Sequence, residues 1–315
     1  MKNEYHRLRK LFQLATGILA SRAYGCGVCP PSYDHDVVYN QPANGDAGSD
    51  AGGDGGLPTL DQATCDKICE GSTISCSYAS TDASGAVVVR CVQAISCGAG
   101  RRPAGFEDAA GLGASSLGVW LAEIARLEAA SITAFRVLER ELASMGAPSS
   151  LRRRARAAAA DEVRHARTVA RLARSRGGRV RRTHLGRSRR EPRSLRAIAV
   201  ENAVEGCVRE TFAALVATAQ AERAQDPELR RAFRAIARDE TRHAALAHAV
   251  DRHLQERLSP EDRALVERAR HEALARLVDE APIHLGDGAR REAGIPEAGE
   301  LRAMARVLAE GLANA

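Results

Sequence analysis

From Ser115 onward, apolar positions recur at alternating steps of three and four. Leu117, Leu121, Ile124, Glu128, Ser131, Phe135, Leu138, Leu142 and Met145 share one helical stripe, which Gly146-Ala147-Pro148 ends. The same reading predicts helices over about 151–174, 195–223 and 228–255, the last entered through the Asp226-Pro227 turn. Connections that run short, long, short let helices one and two pair as one hairpin and three and four as another. Ser259-Pro260-Glu261-Asp262 starts a fifth helix to about 280, because it joins a cap, an early proline and acids at the positive dipole end. After a loop over 281–296, a last amphipathic helix carries Leu301, Met304, Val307 and Leu312. These two C-terminal helices are expected to form a lid or a homodimer surface.

The N-terminal third is patterned differently. A basic head with Lys2, Arg7, Arg9 and Lys10 precedes the apolar run Leu11–Ala20. That run is too short to span a bilayer and suits an export signal; a non-secreted N-terminal helix is the alternative. Ala23-Tyr24-Gly25-Cys26 resembles a bacterial lipoprotein box, which makes Cys26 a lipidation candidate and a lipid the expected route of any membrane attachment. Residues 27–64 hold six Asp and no Lys or Arg, and 44–56 are a Gly/Asp-rich run of low complexity. Seven of eight cysteines lie between Cys26 and Cys97, which implies an oxidising compartment. With Cys26 lipidated and Cys207 a buried thiol, Cys29, Cys65, Cys69, Cys76, Cys91 and Cys97 remain for three bridges of undetermined pairing. Ala86–Cys91 reads as a strand and 61–70 as a helical turn or two. The expected organisation is therefore a signal-like segment (1–25), a flexible acidic tether (26–60), a Cys-rich module (61–110), a four-helix bundle (111–258) and a helical extension (259–315).

Composition narrows the chemistry. Of 46 basic residues 43 are Arg, but they are spread over helices rich in acids, and charge alone supplies no sequence readout. Only 11 residues are aromatic, too few for base-stacking platforms, so nucleic acid is not an expected partner. No tyrosine follows Tyr78, which removes tyrosyl-radical chemistry from the helical body. The arginine-rich crossover over 175–194 reads as a solvated loop.

The helical body repeats itself. Leu151–Val169 and Leu229–Ala247 share 11 of 19 positions at an offset of 78. Each copy holds Glu-x-x-His, namely Glu162 with His165 and Glu240 with His243, and three residues is just under one helical turn. Glu128 stands seven residues before Phe135 and Glu205 seven before Phe212, each within an apolar stripe. Glu201, Glu210 and Glu222 read as solvated, and Cys207 as a packing residue. Four carboxylates and two imidazoles thus face one core. Burying four ionised carboxylates is prohibitive unless positive charge comes with them, and two divalent cations balance them. Oxygen and imidazole donors suit iron or manganese better than metals that prefer thiolate.

Glu128, Asp161-Glu162-Val163-Arg164-His165, Glu205 and Asp239-Glu240-Thr241-Arg242-His243 resemble the ferritin-like di-iron carboxylate superfamily, which includes rubrerythrins, bacterioferritins and di-iron oxidases. The resemblance covers roughly 115–255 and implies an all-α, ferritin-like four-helix bundle with a long middle crossover. Two C-terminal helices and a small disulfide-rich N-terminal module are added to it here. It implies that Glu162 and Glu240 bridge the metals, while Glu128 with His165 and Glu205 with His243 complete one metal each. It also implies that Asp161 orients His243 and Asp239 orients His165. Val208 stands where rubrerythrins carry a further Glu, and no rubredoxin module is present. The expected function is an exported, cell-envelope di-metal oxidoreductase acting with O2 or peroxide; the alternative is a non-catalytic envelope module that binds metal or uses it as a structural clip.

Overall fold

The computed structural model describes residues 6, 8, 10, 12, 33–39, 73–81, 87–93, 101–103, 106, 112–183, 193–279 and 285–313. They fall into two units: Pro30–Ile95 with Asp108–Ala110, and the rest of the chain.

The smaller unit is a three-stranded antiparallel sheet of β1 (Tyr33–Tyr39), β2 (Thr73–Thr81) and β3 (Val87–Gln93), in the order β1-β3-β2. β3 confirms a strand near Ala86–Cys91 and extends it. β1 falls inside the segment expected to be a flexible tether. Its Val37-Val38-Tyr39 end supplies β-branched and aromatic residues that favour a pleated edge over a coil. Val89 at the centre of β3 is fully buried. The register places Cys76 opposite Cys91. Cys26, Cys29, Cys65, Cys69 and Cys97 lie outside the described residues.

The larger unit is built on α1 (Ser116–Ser144) and α2 (Ser149–Ser175), which form one antiparallel hairpin. Ser115 caps α1 by accepting from the Gly118 N–H at 3.0 Å. Gly146 ends the helix at φ 66°, with the Ala147 N–H reaching the Leu142 carbonyl and the Gly146 N–H reaching that of Ala143. That is the left-handed closure only glycine adopts without strain. β4 (Leu112–Gly113) and β5 (Gly178–Arg179) pair beside this hairpin.

The third rod of the bundle is interrupted. α3 (Leu195–Glu201) runs into a π-helical segment, Asn202–Glu210, and continues as α4 (Thr211–Arg223). α5 (Pro227–Gln255) returns antiparallel to it, with Asp226 capping the Glu228 and Leu229 amides and Pro227 in its first turn. α6 (Pro260–Asp279), α7 (Asp287–Ala293) and α8 (Ala298–Ala313) follow. α6 packs on the π segment and α8 on α6 and α4. Short α7 falls within the stretch expected to be a loop. Residues 6, 8, 10 and 12 are helical, and Leu8 and Phe12 are buried with Val208, Phe212, Leu274, Met304 and Leu308. The rest of the signal-like segment lies outside the described residues. Among the described residues, no helix is long and apolar enough to cross a membrane.

Candidate metal centre

Four helical rods each deliver a carboxylate to the middle of the bundle. Glu128 comes from α1, Glu162 with His165 from α2, Glu210 from the π segment and Glu240 with His243 from α5. The three-residue spacing puts each Glu and His of a pair on one face. All four glutamates are 0% exposed; His165 is 4% and His243 2% exposed. Phe135 closes one side, its ring centroid 5.0 Å from that of His243.

Both imidazoles turn Nδ1 inward. His165 Nδ1 lies 3.2 Å from Glu240, 3.5 Å from Glu128 and 3.7 Å from Glu162. His243 Nδ1 lies 3.1 Å from Glu162, 3.6 Å from Glu240 and 3.9 Å from Glu210. Glu162 and Glu240 therefore reach both histidines, while Glu128 and Glu210 reach one each. Two overlapping donor groups result: Glu128, Glu162, His165 and Glu240, and Glu210, Glu240 and His243.

These donors fit divalent ions. All eight carboxylate oxygens and both Nδ1 atoms are buried without a hydrogen-bond partner. Buried polar atoms without a hydrogen bond are rare, and ten of them gathered in two overlapping groups call for a ligand. An ion about 2.1 Å from each donor separates neighbouring donors by about 3.0–3.5 Å, close to the spacings present.

Electrostatics splits the four carboxylates into two kinds. Burial, reinforced by Glu162, holds Glu128 well above the usual carboxylate range; burial and Glu240 do the same to Glu210. Burial also opposes ionisation of Glu162 and Glu240, but the two histidines outweigh it and hold both below that range. The histidines move the opposite way. Burial disfavours their charge, and the surrounding carboxylates overcome it and raise both. Burial and neighbouring carboxylates thus push Glu128 and Glu210 toward their neutral forms, while the surrounding carboxylates push both imidazoles toward their charged forms.

The outward face of each histidine meets an acid from the opposite helix. His165 Nε2 lies 3.2 Å from Asp239, and His243 Nε2 lies 3.3 Å from Asp161. Burial opposes the charge on both aspartates, and the histidines with Arg164 and Arg242 hold both acids below their usual range. Arg164 pairs with Asp161 and, at 3.3 Å, with Asp239; Arg242 pairs with Asp161 at 3.2 Å and Asp239 at 2.7 Å. This crossed quartet fixes which imidazole nitrogen faces inward.

Glu205 does not join the cluster. Its carboxylate accepts from the Arg102 N–H at 3.1 Å and lies 3.5 Å from Arg209, while Glu210, which the α-helical count left in solvent, takes the place beside His243. The cause is the π segment. Residues bonded i→i+5 advance by less than the 100° of an α-helix, so phase counted back from Phe212 drifts across nine residues. The available signal was Glu210 itself: it lies 13 residues before the end of α4, as Glu240 lies 13 residues after the start of α5. Cys207 is fully buried, burial drives its thiol pKa up, and its sulfur lies 3.8 Å from Asn202 Nδ2. Cys207 therefore packs and does not ligate.

The family model for rubrerythrin matches residues 121–251, the stretch that carries every donor above. No curated protein matches the chain, and no solved structure does.

Proposed function

We propose that this rubrerythrin-family domain, within the ferritin-like di-iron superfamily, is a di-metal oxidoreductase that acts with O2 or peroxide. The observation that carries the reading is the set of ten orphaned donor atoms on six buried residues. Glu162 and Glu240 would be shared by two ions, Glu128 and His165 would complete one, and Glu210 and His243 the other. Two Fe(II) ions, when bound, supply the electrons for reduction of O2 or peroxide. The chain supplies the rest. Four carboxylates neutralise the four positive charges of the pair, and Asp161 and Asp239 keep both Nδ1 atoms available for ligation. Complete burial excludes bulk water and bulky organic substrates, which favours a small oxidant. The absence of tyrosine after Tyr78 leaves oxidation by electron pairs in place of a tyrosyl radical.

The same burial favours a second reading, in which the domain holds metal without turnover. Anaerobic loading with Fe(II), followed by O2 or peroxide under optical observation, separates the two. Two ions per chain with rapid oxidation support the oxidoreductase. Two ions that survive the oxidant unchanged support the metal-holding module.

A further inference from the structure

The largest fully buried side chain among the described residues belongs not to the bundle helices but to Arg101, on the short stretch 101–103, at 1% exposure. A buried guanidinium is costly unless its partners repay the loss of water. Here they are few and specific. Arg101 donates to Asn202 Oδ1 at 3.3 Å and Glu201 Oε1 at 3.4 Å, the two residues where α3 gives way to the π segment. The next residue, Arg102, gives its backbone N–H to Glu205 at 3.1 Å. The Arg101 carbonyl accepts from Ser131 at 3.0 Å, and Ser131 lies three residues beyond Glu128 on α1. Asn202 in turn donates to the Ala247 carbonyl at 3.0 Å, four residues beyond His243 on α5. One buried arginine and its neighbours therefore tie together the two rods that carry Glu128 and Glu210 and the helix that carries His243.

The bundle is cut to receive it. A Cβ on Gly206 would lie 2.8 Å from the Ala247 Cβ, 3.0 Å from Asn202 Oδ1 and 3.3 Å from Arg101 Nη1. An alanine there would push on both the arginine and its partner. The internal repeat shows what the segment would otherwise do. In unbroken α-helical phase Glu205 sits seven residues before Phe212, as Glu128 sits before Phe135, and it would face the site. In the structure Glu205 is instead held outward by the Arg102 amide, and Glu210 faces His243.

We propose that Arg101 is a positioning residue for the metal centre: it locks the Asn202–Glu210 segment in the π register that presents Glu210, and not Glu205, to the ion beside His243. The proposal rests on the di-metal reading above. The test titrates Co(II) into the full-length protein and its variants, reading stoichiometry, affinity and ligand-field spectrum, with far-ultraviolet dichroism as a check on folding. Wild type binds two ions. R101M binds the second at least about tenfold more weakly with an altered spectrum. E205Q alone behaves as wild type, because the amide oxygen still accepts from Arg102, but added to R101M it weakens the second ion further. R101Q carries the same comparison if R101M does not fold, since glutamine cannot bond Asn202 and Glu201 together. Wild-type binding and spectrum in the folded Arg101 variants, with only thermal stability lowered, overturns the role. So does loss of an ion in E205Q alone. A wild type that takes up no second ion overturns the di-metal reading and this role with it.

Discussion

Loading two divalent ions is expected to displace up to four protons per chain at pH 7, because four of the ligating groups are shifted toward their protonated forms. Burial and a neighbouring carboxylate shift Glu128 and Glu210 toward their protonated forms. The carboxylates around His165 and His243 outweigh burial and shift both toward their charged forms. Ligation needs all four groups deprotonated, while Glu162 and Glu240 are already ionised and release nothing. With unperturbed groups the outcome differs sharply. Two histidines of ordinary pKa release together only about half a proton at pH 7, and the glutamates almost none. Zn(II), which brings no redox chemistry, is added to weakly buffered protein in a pH-stat, and calorimetry in buffers of different ionisation enthalpy checks the count. Release of about three to four protons supports the charge arrangement; release below about one refutes it.

The four raised groups bind more protons folded than unfolded, so they stabilise the metal-free protein below their unfolded pKa values and lose that contribution as pH rises. Glu162, Glu240, Asp161 and Asp239 act in the opposite sense, but only below about pH 5. The melting temperature of the metal-free protein therefore falls between about pH 6 and 9, whereas that of the Zn(II)-loaded protein stays nearly level. Among the described residues Glu210 is the carboxylate particular to the His243 side, so the second Zn(II) of E210Q weakens by at least about tenfold in competition with a chromophoric chelator. Phe12, 2% exposed, packs in the core beside α4 and α8, so Phe12→Ala lowers unfolding free energy in urea by about 3–5 kcal/mol. A chain processed after residue 25 would lack Leu8 and Phe12 together, and the intact mass of the protein recovered from its cells shows whether that happens.

The helical rods were legible because their apolar stripes hold a 3.6-residue period and their ends carry ordinary signals, Gly146 after α1 and Asp226-Pro227 before α5. Glu162, His165, Glu240 and His243 stand out because the motif occurs twice at matched spacing. Glu210 was hidden by a local change of helical pitch, which leaves no mark in apolar periodicity. Arg101 was hidden for a different reason. A charged residue in the stretch assigned to the Cys-rich module is ordinarily solvated, and only tertiary packing around Gly206 makes room for it. β1 escaped notice because its Val37-Val38-Tyr39 end adjoins a Gly/Asp-rich run that dominates the local composition.

Glu128, Glu162, His165, Glu210, Glu240 and His243 are expected to hold a pair of ions. Anomalous diffraction from crystals of the Fe(II)- or Mn(II)-loaded protein addresses it directly. Two peaks about 3.5–4 Å apart are expected, with Glu162 and Glu240 touching both and Glu210 beside His243. A single peak, or a second ion ligated by Glu205 with Glu210 turned away, contradicts it.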